Sequence, residues 1–401
     1  MFRKFLLGLG AITVAFHAHA EDPQWLMDAR AREAGKISPQ EIRSTDGWFS
    51  ARVPAKSVGK IELSEGSYSV QLEVGAPSPL SCEVFPEGLD MADGLRRIFE
   101  NIISQPGEGN TVEMHALESV DAGNWNEVPW LQANWLYRIF DGKDKLLGNA
   151  RQYAFDKDGV GVYCGFSEFG YLKTTNEVVK SFASSLRFSK PSATPHYREI
   201  LLWSMRGMNI GVSNTRYERD AEGDTRATVE MSLIFPVTGK ATTFDSVRHE
   251  WVQPDGELIN AVAVVSENGN MLSNLQLKPD DGKWVISGKS RGKEVAQSIP
   301  ASTPPGSAIG LAFALRKLAA RENPTGAEQQ MWIWDGGDLL RLNQSRTRIT
   351  GATAEGLVAD YTLGKDNSKV TLDRKGAVLG MQMPMGPMTL EMRRVYTSGS
   401  F

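Results

Sequence analysis

Cysteine and histidine are scarce in this sequence, with two cysteines and five histidines among 401 residues. A zinc site needs three or four such ligands at workable spacing. Beyond the first twenty residues only His115, His196 and His249 remain, and they are scattered along the chain. The sequence therefore predicts no zinc site, and nothing in it indicates another bound cofactor.

An excess of positive charge is also absent, since the formal net charge at pH 7 is −4. Proteins that bind nucleic acid usually carry a basic patch or stripe. The segment "SGKSRGK" (residues 287–293) contains Gly-Lys-Ser, but the preceding glycine of a phosphate loop is missing and no helix is expected after it. We therefore expect neither nucleic acid nor nucleotide among the partners of this protein.

The longest apolar stretch lies at the N-terminus, in "MFRKFLLGLGAITVAFHAHA". Arg3 and Lys4 precede an apolar stretch over residues 5–16, and residues 18–20 fit the small-x-small rule for cleavage. The apolar stretch is too short to span about 30 Å of hydrocarbon. Residues 1–20 are therefore expected to be a signal peptide cleaved after Ala20, and the mature protein to be periplasmic or secreted and not membrane-spanning.

The two cysteines, Cys82 and Cys164, lie in the strand-like runs "LSCEVF" and "GVYCGF". In an exported protein an even number of cysteines favours a disulfide. A redox-active pair would prefer C-x-x-C spacing, which is absent. We expect a structural bridge between Cys82 and Cys164, with two unpaired buried thiols as the alternative.

The first half of the chain alternates strand-like and helix-like segments. Residues 21–45 form an extension with a short helix, "PQWLMDARAREAG". Over residues 46–188, strand-like runs are interrupted by "MADGLRRIFENIIS", which has apolar residues at helical spacing, and closed by a second helix-like run, "TTNEVVKSFASSLRF". The pattern predicts an α+β domain over residues 46–188.

Three features of this domain carry a resemblance: the opening "DGWFSARVPA", the helix in the middle and the closing "VVKSFASSLRF". In this order they resemble the PsbP-like fold of DcrB-like exported bacterial proteins. The resemblance implies a small accessory or binding protein without catalytic groups.

A Pro- and Ser-containing segment, "SKPSATPH" (residues 189–196), reads as a linker to a second domain over residues 197–401. That domain is rich in strands separated by turn signals such as Asn268-Gly269 and Asp281-Gly282, which is typical of an antiparallel meander. One apolar helix is expected in "PGSAIGLAFALRKLAAR". The segment "MNIGVSNTRYERDAEGDTRATVEMSLIF" reads as a strand, a turn and a paired strand. Together with the meander and its one helix, it resembles the β half-barrel of periplasmic lipoprotein carriers, and this resemblance implies lipid handling.

The run "GMQMPMGPMTLEMRRVY" contains five methionines, Met381, Met383, Met385, Met388 and Met392. On a strand, the first three would face one side, and a turn at "PMGP" would bring the last two back beside them. Flexible thioether side chains fill irregular cores and line adaptable apolar surfaces. They also suit Cu(I), for which Met381, Met383, Met385 and Met388 are the candidate ligands. All three interpretations remain open at this point.

An apolar groove is the hypothesis that connects most of these features. The apolar helix would cover the meander as a lid or pack in its core. The residues expected to line the groove are Phe313, Trp332, Trp334 and the five methionines of the C-terminal run. Its occupant would be a lipid-like ligand or an envelope protein.

Catalytic motifs are weak in this sequence. The segment "GFSEFG" differs by one residue from the nucleophile-elbow pattern, with Ser167 as the candidate nucleophile. His115 is the only histidine in the same domain that could act as its general base. We therefore expect an exported, non-enzymatic binding or accessory protein of the cell envelope. The alternatives are a periplasmic copper-handling protein and a hydrolase whose site is not recognised.

Overall fold

The computed structural model describes residues 23–89, 95, 111–140, 142–190, 195–235, 241–300, 302–334 and 339–399. The expected signal peptide, the middle four residues of the expected linker (191–194), and the expected helix "MADGLRRIFENIIS" apart from Leu95 lie outside these residues. The chain forms two compact units. One contains the described residues up to 190 together with those of 234–242, and the other contains residues 195–233 and 243–399.

Three helices lie in the described part of the chain: α1 (Gln24–Arg30), α2 (Leu172–Ser185) and α3 (Ala308–Ala319). The strands of the first unit are β1 (Pro39–Arg43), β2 (Phe49–Pro54), β3 (Leu63–Ser64), β4 (Ser67–Leu72), β5 (Leu80–Phe85), β6 (Thr111–Trp125), β7 (Val128–Phe140), β8 (Lys145–Lys157), β9 (Val160–Phe166) and β10 (Arg187–Phe188).

The strands that follow are β11 (Tyr197–Met205), β12 (Met208–Arg219), β13 (Thr225–Phe235), β14 (Thr242–Val252), β15 (Leu258–Glu267), β16 (Asn270–Asp280), β17 (Lys283–Ser290), β18 (Lys293–Ile299), β19 (Pro305–Gly306), β20 (Glu328–Ile333), β21 (Asn343–Ala352), β22 (Leu357–Leu363), β23 (Asp366–Leu372), β24 (Val378–Met385) and β25 (Met388–Gly399).

The first unit contains a three-stranded sheet of order β1-β2-β10 and a seven-stranded sheet of order β3-β4-β5-β9-β8-β7-β6. Helix α2 contributes Val178, Val179 and Phe182 to a core that also includes strand residues such as Phe155. Cys82 on β5 lies directly opposite Cys164 on β9, and their sulfurs are bonded at 2.09 Å. The predicted disulfide is confirmed.

The predicted α+β class of residues 46–188 is wrong. The described residues of the chain are almost entirely β, and no PsbP-like α+β domain is seen. Strands β6, β7 and β8 are 15, 13 and 13 residues long and pair along their lengths as a meander. A sheet of this size accounts for most of the residues, so that α2 is a minor element packed on it.

The second unit is built on one 15-stranded sheet of order β18-β17-β16-β15-β14-β13-β12-β11-β25-β24-β23-β22-β21-β20-β19. Strand β11 pairs antiparallel with β12 and β25, and β20 pairs antiparallel with β21, whereas β19 and β20 are parallel. Several hairpins turn through two residues with positive φ, as at Asn268-Gly269 and Asp281-Gly282. This is the backbone of a type I′ turn, which matches the twist of antiparallel strands. The last strand of the chain, β25, pairs with the first strand of the unit, β11.

Helix α3 packs on one side of this sheet, which we call the helix-facing side. Ile309 and Phe313 join a cluster with residues of β11–β18, including Tyr217 and Leu277. Leu315 and Leu318 join a second cluster that contains Ile349, Ala359 and Val370 of β21–β23. The helix therefore contacts both halves of the sheet. The apolar sequence of α3 is explained by contacts along two of its faces.

Candidate functional site

The C-terminal methionines lie on one hairpin, β24–β25. Met381 is opposite Met392, Met383 is opposite Leu390, and Met385 is opposite Met388. Directly paired residues of an antiparallel sheet project to the same side. Met381, Met383, Met385 and Met388 are half-buried, whereas Leu390 and Met392 are buried. The hairpin thus presents a partly exposed thioether surface.

The apolar surface continues onto the neighbouring hairpin, β11–β12. Leu390 is opposite Met205, Met392 is opposite Trp203, and Met205 is opposite Met208. We call the set Met205, Met208, Met381, Met383, Met385, Met388, Leu390 and Met392 the methionine band. Met205 and Met208 were missed in the sequence, although "SMRGMN" contains both around an Arg-Gly turn. Their place beside the C-terminal hairpin depends on β25 pairing with β11.

The methionine band adjoins the cluster in which helix α3 packs against the sheet. Met381 is opposite Val370 and packs against the cluster that contains Leu315 and Leu318. The band is therefore on the helix-facing side. Since Met383, Met385 and Met388 remain half-buried, the helix does not complete the burial of this surface.

The three aromatic residues expected in the groove lie in different places. Phe313 packs against the cluster that contains Trp334, and the indole N–H of buried Trp334 donates to the carbonyl of Leu339 at 2.8 Å. Trp332 is 38% exposed and lies opposite Gln344, which is exposed on the other side of the sheet. Strand alternation places Met331, instead of Trp332, on the helix-facing side.

On strands β21–β23, next to the methionine band, the helix-facing side of the sheet carries polar side chains. Thr347 lies opposite both Gln329 and Tyr361, and Tyr361 lies opposite Ser368. Ser345 lies opposite Met331 and Leu363. Ser345, Thr347 and Ile349 alternate along β21 and therefore project to the same side of the sheet. Because Ile349 packs in the cluster with α3, this is the helix-facing side. We call Ser345, Thr347 and Ser368 the hydroxyl row.

A buried charged group lies on the far side of the band. Arg394 is 3.8 Å from Glu199 and 3.2 Å from Asp373, and the Tyr197 hydroxyl donates to Glu199 at 3.1 Å. Burial raises the pKa of Glu199 above its ordinary value, although Arg394 and Tyr197 oppose this shift. Burial also acts to raise the pKa of Asp373, but hydrogen bonds from the Lys375 and Ala377 N–H groups and from Arg394 lower it overall.

The opposite side of the same strands is polar and open. A recess of about 390 Å³ is lined there by Arg346, Arg348, Asp360, Thr362, Asn367 and Lys369. Arg346 pairs with Glu328 at 2.6 Å, and Lys369 pairs with Asp360. Exposed ion pairs of this kind belong to a solvated sheet surface. The apolar and charged surfaces of β21–β24 are thus on opposite sides.

The candidate catalytic residues Ser167 and His115 have different surroundings in the described part of the chain. Ser167 is exposed, while His115 is buried and its Nδ1 accepts the backbone N–H of Ala241 at 3.3 Å. Within that part, no three His, Cys, Asp or Glu residues are arranged to hold a metal ion. None of its helices has the length and apolar composition needed to cross a membrane.

No family model matches the chain, and no curated protein matches its sequence significantly. Among the solved structures that match is a β-barrel-like protein of the domain of unknown function DUF1849 from Brucella abortus. It has 13% identity and a TM-score of 0.40, over 52% of this chain and 99% of that one. A DUF1089 family protein from Pseudomonas aeruginosa has 16% identity and a TM-score of 0.28, over 43% of this chain and 90% of that one. Likeness this distant identifies no functional residue, and these matches do not show the PsbP-like relationship expected for residues 46–188.

Proposed function

We propose that the protein is a non-enzymatic binding protein of the cell envelope whose second unit holds an apolar ligand on the methionine band. One observation carries the proposal: four methionines, Met381, Met383, Met385 and Met388, are half-buried on one side of a sheet whose adjoining rows are core. Methionine is unbranched and flexible, so such a surface adapts to chains of different shape.

The energetics are adequate for binding a lipid-like chain. Full burial of one methionine side chain contributes about 1.5–3 kcal/mol. Because these four methionines are already largely buried, completing their burial contributes at most roughly 2–4 kcal/mol, and each CH₂ buried on the ligand adds about 0.8 kcal/mol. Micromolar affinity corresponds to about 8 kcal/mol. A long acyl chain can reach this value even after the cost of association.

The disulfide between Cys82 and Cys164 supports the assignment to the envelope. Disulfides persist in oxidising compartments such as the bacterial periplasm and are rare in the cytosol. Together with the N-terminal "MFRKFLLGLGAITVAFHAHA" pattern, the bridge favours an exported protein. An envelope compartment also provides acyl-chain ligands.

The test is a titration with the apolar fluorophore N-phenyl-1-naphthylamine. Met383→Asp combined with Met385→Asp places two carboxylates on the band, and we expect at least a tenfold loss of dye affinity because charges are costly to bury. The matched control is Gln382→Asp with Thr389→Asp, which adds the same charge to exposed positions of the same hairpin. Unchanged dye binding by a folded Met383→Asp, Met385→Asp variant would refute the proposal.

A second control separates this function from copper handling. Met383→Leu with Met385→Leu keeps the apolar surface and largely spares packing, but removes two thioethers. The apolar-ligand proposal predicts dye binding close to that of the unmodified protein. The copper hypothesis predicts two different results. The unmodified protein would bind Cu(I) tightly and the leucine variant would not, and the Met383→Asp, Met385→Asp variant would bind the dye as well as the unmodified protein does.

A further inference from the structure

Two hydroxyl groups of the hydroxyl row are buried without a hydrogen-bond partner. Ser345 is 1% exposed and Thr347 is 2% exposed, and neither side-chain oxygen is hydrogen-bonded within the described residues. Buried polar side-chain atoms are nearly always paired with protein, water or ligand groups. The two unpaired oxygens on one strand therefore require an explanation.

The residues opposite these hydroxyls give them a particular setting. Ser345 lies between the apolar side chains of Met331 and Leu363, and Thr347 lies between Gln329 and Tyr361. From Thr347 the surface passes through Tyr361 to Ser368 on β23. One strand further, on β24, the methionine band begins. The helix-facing side of the sheet thus has a hydroxyl-bearing end joined to a thioether end.

Positively charged side chains near the hydroxyl row point away from it or are already paired, and the carboxylate of Asp366, opposite Leu363, is exposed on the helix-facing side. Arg346, Arg348 and Lys369 alternate with the row and lie on the exposed side of the sheet. On the helix-facing side, Arg394 is engaged by Glu199 and Asp373 beyond the band. A ligand group at Ser345 and Thr347 therefore meets hydroxyls and not a free cation among the described residues.

We infer that the hydroxyl row is a head-group subsite for a neutral, hydrogen-bonding group, such as the hydroxyl or ester carbonyl of a monoacylglycerol. The inference rests on the proposed function, because the acyl chain of the same molecule lies on the methionine band. Hydroxyl side chains donate to a carbonyl and accept from a hydroxyl, so they suit both groups. Met331, half-buried opposite Ser345, is a flexible cover that moves aside when the head group enters.

The experiment displaces N-phenyl-1-naphthylamine from the full-length protein with 1-monooleoylglycerol and with oleate, both below the concentrations at which they aggregate. We expect the neutral lipid to displace the dye at about one tenth of the oleate concentration. Ser345→Ala combined with Thr347→Val removes both hydroxyls with little change of shape. It should weaken 1-monooleoylglycerol about tenfold, as expected for two hydrogen bonds, and leave dye affinity unchanged.

The matched control is Thr350→Val, which makes the same change on the exposed side of β21 and should leave all three affinities unchanged. Thermal unfolding without ligand gives an independent readout, since removing unpaired hydroxyls should not lower Tm. A lower Tm for the double variant would show that the hydroxyls have a structural partner and would overturn the inference.

Different results would refute the head-group subsite and the apolar site. If the unmodified protein binds dye but the double variant keeps its affinity for 1-monooleoylglycerol, or if oleate binds more tightly, the head-group subsite is refuted and the apolar site stands. If the unmodified protein binds neither dye nor lipid, the proposed function itself is refuted.

Discussion

At the scale of single residues, the sequence predicted part of the methionine band. The alternation of Met381, Met383 and Met385 places them on one side of any strand. The contribution of Met205, Ser345 and Thr347 was not visible, because it depends on which strands are neighbours. Alternation gives two sides for each strand but does not say which sides of distant strands meet.

The buried carboxyl of Glu199 makes stability depend on pH. Its folded-state pKa lies above the ordinary value of 4.5, chiefly because of burial. The folded protein thus holds this proton more tightly than the unfolded chain does. The resulting stabilisation is fully present below the ordinary pKa and is lost as the pH rises through the raised one.

Glu199→Gln imitates the protonated carboxyl and should remove this dependence. We expect the free energy of unfolding of the unmodified protein, relative to the variant, to fall as the pH rises from about 4 to about 8. Urea unfolding at several pH values measures the difference. Parallel pH profiles for the two proteins would show that Arg394 and Tyr197 compensate fully for burial, contrary to the account.

At the scale of elements, helix α3 is anchored through its N-terminus. The Ser307 hydroxyl accepts the N–H of Gly310 and donates to the carbonyl of Gly256, each at 2.8 Å. The Glu250 carboxylate accepts the N–H of Ala308 at 2.7 Å. Gly256 has a φ of +95°, and a Cβ there would lie 3.1 Å from the Phe313 ring. The start of the helix is therefore fixed against the loop after β14.

Ser307→Ala removes the N-cap of α3 and leaves the Gly256 carbonyl without this donor. We expect a loss of about 1–2 kcal/mol in the free energy of unfolding, the usual cost of losing a serine cap. Chemical denaturation measures it. Ser298→Ala, at an exposed serine of β18, is the control and should change stability by less than about 0.5 kcal/mol. Equal effects of the two substitutions would contradict the anchoring role.

Local signals predicted the hairpins better than they predicted the fold class. Asn268-Gly269 and Asp281-Gly282 form turns with positive φ, as the sequence indicated. Arg206-Gly207 and Arg291-Gly292 adopt the same backbone without an Asn or Asp at the first position. Only their glycines indicated a turn, since glycine alone adopts positive φ at no steric cost.

At the scale of the whole molecule, the sequence did not reveal how large the sheets are. The prediction of an α+β domain over residues 46–188 gave equal weight to each helix-like window, whereas the number and length of paired strands determine the class. Pairing between β11 and β25 joins segments about 190 residues apart. Such long-range pairing leaves no local pattern, and it creates the surface on which the proposed function depends.

The compartment and the ligand surface form one hypothesis at this scale. The Cys82–Cys164 bridge fits an oxidising environment. A surface of half-buried methionines beside buried hydroxyls fits an amphiphile with a neutral head. The copper, partner-protein and lipid hypotheses differ in what should remain attached to the protein after gentle purification.

The most direct test is therefore native mass spectrometry of the protein purified gently from the envelope of its own cells. The account predicts a bound mass of lipid size that is lost when Met383 and Met385 are replaced by Asp. It also predicts the loss of two hydrogens for the disulfide. A bare chain mass, or an increment equal to one copper ion in place of a lipid, would contradict the central claim.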